Sequence, residues 1–180
     1  MNFFERLNLL IEDYDPNIWS KSLTLQRNEF LKIRDSKDTN VYYIEEGSLR
    51  VILETDAEEI SFRFGYEGDF VSALDSFITD QPSKFSIKAI KKTRVKVITK
   101  ESFMRFLESD LQHLLLWQEM MNHVILAQGE RELDLLIQSP IERYERVLKR
   151  SPKLFQLIPG KYIASYLRMS PETYSRIKKT

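Results

Sequence analysis

The sequence predicts an α+β protein: an N-terminal antiparallel β-roll of the jelly-roll or cupin-like kind, one long helix, and a C-terminal helix-turn-helix. Three observations carry this reading. Short β-rich runs recur from Leu23 to Ile98, at the spacing of about ten residues per strand that marks a sandwich or barrel. Past Thr99 the apolar residues change to helical spacing and keep it as far as Ser139-Pro140. Around Ser170 a short break is followed by strong helix-start chemistry, so two short helices meet there.

The elements follow in chain order. Phe3, Leu7, Leu10 and Ile11 lie at helical spacing, and Asp15-Pro16 ends that short docking helix. Seven strands are expected at Leu23–Gln26, Phe30–Ile33, Val41–Ile44, Leu49–Leu53, Ile60–Phe64, Phe85–Ile90 and Val95–Ile98. Glu46-Gly47 and the acidic Asp56–Glu59 segment supply turns between them. A helix starts at Lys100-Glu101-Ser102, with a weak point near Ser109-Asp110. From there Leu114, Trp117, Met121, Val124, Gln128, Arg131 and Leu135 recur at alternating steps of three and four, the seam of a short coiled coil. Such a stripe also suits a helix packed on its own barrel; pairing with a second copy is the favoured reading. Gly129 is compatible with a hinge or a close crossing. A further helix spans Ile141 to Lys149 and stops at the Ser151-Pro152 break.

In the last segment, Ile163, Leu167, Met169, Tyr174 and Ile177 are the apolar positions, with the small Ala164 where two crossing backbones need room. Ser170 is a natural N-cap, Pro171 suits the first helical position, and Glu172 suits the positive end of the helix dipole. On that second helix Glu172, Arg176 and Lys179 share a face opposite Tyr174 and Ile177. A guanidinium there can bond guanine O6 and N7, and a carboxylate can accept from cytosine N4. Thr173, Ser175 and Lys178 are read as phosphate contacts. Arg168 stands in the turn, where a left-handed backbone would favour glycine. No wing strands are expected after the second helix, which makes the domain minimal or shortened.

Charge supports a polyanion partner. Residues 141–180 carry ten Lys or Arg against three acids, a balance of +7, which leaves −7 on residues 1–140 of a chain with zero net charge. The absence of cysteine excludes disulfides, thiolate metal sites and cysteine nucleophiles. No apolar run approaches the roughly 20 residues of a membrane helix. The opening MNFFERLNLL lacks the parts of a signal peptide, so a cytoplasmic location without membrane contact is expected.

Three segments, VYYIEEGSLRVIL, GDFVSALDSFITDQPSKFSIKAI and RYERVLKRSPKLFQLIPGKYIASYLRMSPETYSRIKK, give the chain its resemblance to the Crp/Fnr family of regulators, in the variant common among Bacteroidetes-type bacteria. The resemblance implies a β-roll sensor over residues 1–108, a dimerisation helix over 109–138 and a DNA-binding helix-turn-helix over 139–180. It implies a homodimer on pseudo-palindromic double-stranded DNA, with RNA polymerase as a further partner and no cofactor. The family's recognition element matches Ser170 to Ile177, which places Glu172 and Arg176 at base-reading positions, and Pro171 replaces an arginine. Its phosphate-binding cassette aligns from Gly68 onward. Where cyclic-nucleotide binders keep a glycine, a ribose-binding glutamate and a phosphate-binding arginine, this chain has Ser72, Ala73 and Ser83, with Lys84 on the opposite strand face. A buried cyclic phosphate lacking a guanidinium is costly, so no tight binding of cyclic AMP or cyclic GMP is expected. The roll then holds another small-molecule effector or none.

Two other classes remain. A cupin-type enzyme needs His and carboxylates converging from strands, yet both histidines, His113 and His123, fall in the helical segment. A sensor acting through protein contacts would use the C-terminal helices as a docking surface insensitive to DNA sequence.

Overall fold

The structure, a computed structural model, describes residues 3–179. Met1, Asn2 and Thr180, at the outer ends of the expected domain spans, lie outside the described residues. The chain forms two compact units, one from the residues up to Glu58 together with Phe62–Gln118, the other from Glu59–Ser61 and the residues from Glu119 onward.

The first unit opens with α1 (Phe3–Tyr14), whose Leu7 and Ile11 face inward. Eight strands follow: β1 (Lys21–Leu25), β2 (Phe30–Lys32), β3 (Val41–Glu46), β4 (Ser48–Glu54), β5 (Glu59–Tyr66), β6 (Phe70–Ser72), β7 (Phe85–Ala89) and β8 (Thr93–Ile98). They form two four-stranded antiparallel sheets, ordered β1-β8-β3-β6 and β2-β7-β4-β5. The expected α+β roll is therefore present. Between β3 and β4 the chain passes from one sheet to the other at Gly47, whose φ of 103° is left-handed and costly for any residue with a Cβ. Val95 and Val97 alternate with the less buried Arg94 and Lys96 along β8, and with Ile44, Leu49, Val51 and Ile87 they fill the interior.

Two elements of this unit go beyond the sequence reading. β6 is three residues long and pairs Val41 with Ser72 through Tyr43 with Phe70. After it comes a single short helix, α2 (Leu74–Thr79), closed by Asp80 in a left-handed conformation. The helix α3 (Lys100–Ser109) is capped by Thr99, whose hydroxyl accepts the Ser102 N–H. The weak point at Ser109-Asp110 is a real interruption, for Asp110 is extended and α4 (Leu111–Leu136) begins anew. At the start of α4, Leu116 is buried and Trp117 packs on the rings of Phe77 and Phe103, at 5.7 and 5.5 Å between centroids.

The second unit joins the rest of α4 to α5 (Pro140–Arg150), α6 (Pro152–Leu157), α7 (Gly160–Tyr166) and α8 (Pro171–Ile177). Ser151-Pro152 ends one helix and starts the next, because proline at the first helical position gives up only an N–H that has no partner there. The core consists of Val147, Leu154, Ile158, Ile163 and Leu167, with Tyr174 against it. Asp134 on α4 is fully buried, and its carboxylate accepts from Arg146 Nε at 2.9 Å and from Arg150 Nη1 and Nη2 at 3.0 and 2.5 Å. Glu130, one turn earlier, adds ion pairs to the same two arginines.

Of the seam residues expected on α4, Leu114, Gln128 and Leu135 are exposed, whereas others are not. Trp117 and Arg131 are turned into their own chain: Trp117 as above, Arg131 buried with its guanidinium 3.8 Å from the centre of the Tyr166 ring. Met121 and Val124 are half-buried as well. The other large apolar side chains left exposed on α4 are Leu111, Leu115, Ile125, Leu126, Leu133 and Leu136.

Candidate nucleic-acid interface

The helix pair α7–α8 is built from packing upward. At Gly160 a Cβ would lie 2.7 Å from Cε1 of Tyr174, so the tyrosine ring rests directly on the first turn of α7. Ala164, fully buried, is the second close approach, as the sequence suggests. Helix α7 ends in a Schellman turn: Arg168 is left-handed with φ of 53°, its N–H bonds the Ser165 carbonyl, and the Met169 N–H bonds the Ala164 carbonyl. The glycine-like backbone expected at Arg168 is thus adopted by an arginine, at a cost on the order of 1 kcal/mol.

Ser170 then caps α8: its hydroxyl accepts the Thr173 N–H at 3.1 Å and donates to the Thr173 hydroxyl. Pro171 occupies the first turn beside Glu172. The Glu172 carboxyl is held below the usual carboxylate range by its own backbone N–H and by the Ser170 hydroxyl. Burial of Tyr174 fixes the rotation of α8 about its axis and leaves Glu172, Ser175 and Arg176 outward, with Lys179 just past the helix end. These four and Pro171 line one shallow surface hollow of about 760 Å³.

The candidate residues therefore fall into two groups. Glu172, Arg176 and Lys179 come together as expected, and Ser175 joins them although it was read as a separate phosphate contact. Ser170, Thr173 and Lys178 lie outside this hollow; Thr173 is half-buried and engaged in the cap, whereas Lys178 is exposed beyond the helix. Not all of the basic tail faces outward: Arg143 is buried, and Arg146 and Arg150 hold Asp134.

In the first unit the five cassette residues differ in their surroundings. Gly68 makes a left-handed turn and donates its N–H to the Ile44 carbonyl. Ser72 pairs with Val41, and Ala73 is buried in the core. The buried Ser83 hydroxyl accepts the Phe85 N–H at 3.1 Å, whereas Lys84 is exposed, in agreement with its expected opposite facing. Two residues missed in the sequence dominate the local charge. Asp75, in the first turn of α2, accepts the N–H groups of Ser76 and Lys84. Lys32 is buried, and its ammonium donates to the carbonyls of Ser83 and Phe85 at 3.2 and 2.6 Å. Burial lowers the Lys32 pKa, against the pull of Asp75, the foremost of its acidic neighbours. An acid two residues after the buried Ala73 was the available signal for Asp75; Lys32 gives none, because the adjoining strand reads as ordinary alternation.

Among the described residues no three His, Asp or Glu side chains gather to hold a metal ion. His113 stacks on Phe106 with centroids 4.2 Å apart, and its Nδ1 lies 3.0 Å from the Phe106 carbonyl oxygen. No described helix is long and apolar enough to cross a membrane.

Comparison with known proteins places this arrangement. Residues 22–110 match the cyclic nucleotide-binding domain family. The fold superposes on FixK2 from Bradyrhizobium japonicum with a TM-score of 0.70 at 22% identity, over 88% of this chain and 82% of that one. For a CooA mutant from Carboxydothermus hydrogenoformans the TM-score is 0.75 at 15% identity, over 99% and 83% of the two chains. For TTHB099, a transcriptional regulator of the CRP family from Thermus thermophilus, it is 0.65 at 16% identity, over 87% and 82%. Residues 22–110 thus resemble a cyclic nucleotide-binding domain, and the fold of the chain is that of these solved structures. No curated protein matches its sequence at a significant level. Within the matched region, Ser72, Ala73 and Ser83 are the residues expected to set the cassette apart from a nucleotide-binding one, and the start of α2 carries a carboxylate at Asp75.

Proposed function

We propose that this chain is a DNA-binding transcription regulator of the Crp/Fnr type that acts as a homodimer, with α8 lying in the major groove of a pseudo-palindromic site. The observation that carries the proposal is the single outward face holding Glu172, Ser175, Arg176 and Lys179 on a helix whose rotation is fixed by Tyr174 and whose start is fixed by Ser170. A rigid face with one guanidinium and one carboxylate can read base edges, while the cap residues and Lys178 suit the phosphates. The exposed apolar row on α4 is the surface through which the two copies pair.

The sensor is inferred not to bind cyclic AMP or cyclic GMP tightly. A cyclic phosphate brought to the start of α2 would meet the Asp75 carboxylate, and the buried Lys32 already donates to two carbonyls. Any effector is of another chemistry.

Selection of bound duplexes from a random library, with and without cyclic AMP, tests both statements. A palindromic motif that the nucleotide leaves unchanged is expected; absence of enrichment at low salt would overturn the DNA-reading proposal. Replacing Arg176 by Ala is expected to relax preference at one base pair of each half-site, by about 1–3 kcal/mol. An equal loss across all sequences would make Arg176 a phosphate contact instead.

A further inference from the structure

The exposed face of α4 has an internal order that goes beyond the pairing it serves. Its midline is Leu115, Asn122, Gly129 and Leu136, four residues spaced by seven. Leu111 and Ile125 flank this line on one side, and Leu126 and Leu133 on the other. The two ends of the midline are thus apolar, and its middle carries one amide and one glycine. Asn122 is exposed, and a Cβ at Gly129 would meet nothing within 4 Å. Nothing within its own chain requires a glycine at this point in the middle of a helix, where it costs about 1 kcal/mol relative to alanine.

We propose that Asn122 and Gly129 fix the register and the number of strands when α4 packs in parallel against α4 of a second copy. The inference rests on the homodimer proposed above. A second copy is the occupant because of the apolar area that the face offers. With roughly 100 Å² for each exposed Leu or Ile, the six side chains amount to on the order of 600 Å² per copy, most of the roughly 800 Å² each partner buries in a standard interface. A parallel, in-register pair brings Asn122 opposite Asn122 of the partner subunit, where each amide has both a donor and an acceptor to offer the other. Sliding one helix past the other by a step of seven sets one amide against Leu115 and the other against Gly129 and leaves both unpaired, the penalty by which a single polar midline residue specifies register and a two-stranded state. One step of seven further on, Gly129 allows the backbones to approach more closely than a leucine would permit.

Because the chain has no cysteine, a single introduced thiol reports on this geometry without background. Asn122→Cys and, as an off-midline control, Ala127→Cys are made in the full chain and oxidised mildly, with the mass in solution measured by sedimentation before oxidation. A dimer in which the thiol at 122 joins the two copies and the thiol at 127 does not is the expected result. A dimer that fails to cross-link at 122 overturns the proposed register and leaves the homodimer standing, whereas a monomer removes the homodimer itself. Asn122→Ile is expected to yield species larger than a dimer or a mixture of states; a strict dimer would remove the control of strand number.

Discussion

Among single residues, Tyr42 ties ionisation most closely to folding. Its hydroxyl donates to Asp38 Oδ2 at 2.6 Å inside the roll, and burial, reinforced by that carboxylate, raises its pKa far above the ordinary 10.0. A raised folded-state pKa means that the stabilisation is complete below about pH 10 and is lost as pH rises toward the folded value, since the unfolded chain releases its proton first. Denaturant melts from pH 8 to 11 should therefore show falling stability above pH 10. Tyr42→Phe should flatten that slope and cost about 1 kcal/mol at neutral pH by leaving Asp38 one donor short. At this scale much of the C-terminal site is legible from sequence. Ser170 declares itself as a cap, Pro171 as a first helical residue, and Arg168 as an occupant of a backbone that favours glycine. What is not legible is Lys32, because its partners are the carbonyls of Ser83 and Phe85, some fifty residues away in the chain.

At the scale of elements, seven of the eight strands described are legible as β-rich runs, but β6 and α2 are not. Ala73 offers no side-chain cap to announce a helix. Pro152 is ambiguous in a different way, as a residue that cannot continue α5 can begin α6. The face of α4 is the instructive failure: a period near 3.5 describes a stripe and does not say what covers it. The fit of α7 to α8 yields a firmer expectation. Gly160→Ala should force the Tyr174 ring away from α7 and destabilise the second unit by about 1–3 kcal/mol, read as a lower melting temperature, and should weaken DNA binding in parallel. Unchanged melting would show that the ring can move aside without loss.

For the whole molecule, the charge split between the two halves of the sequence points toward nucleic acid, yet it overstates the charge on offer. Arg146 and Arg150 are consumed by Asp134 and Glu130. The salt dependence of DNA affinity should separate the two kinds of base. Lys178→Ala and Lys179→Ala should each reduce the slope of log affinity against log salt by about 0.9 for every phosphate the lysine neutralises. Arg150→Ala should leave that slope unchanged and lower thermal stability instead; a reduced slope would make Arg150 a DNA contact.

The attachments of α4 at its two ends also differ in kind, and this has a thermal consequence. Leu116 and Trp117 secure the beginning of the helix by apolar contact, an attraction that weakens on cooling as the entropic gain from released water fades. Asp134 secures the far end by two guanidiniums, an attachment whose dehydration cost falls as temperature rises. Cold loosens the first hold before the second, so a helix with an unbroken backbone has two different temperature responses along its length.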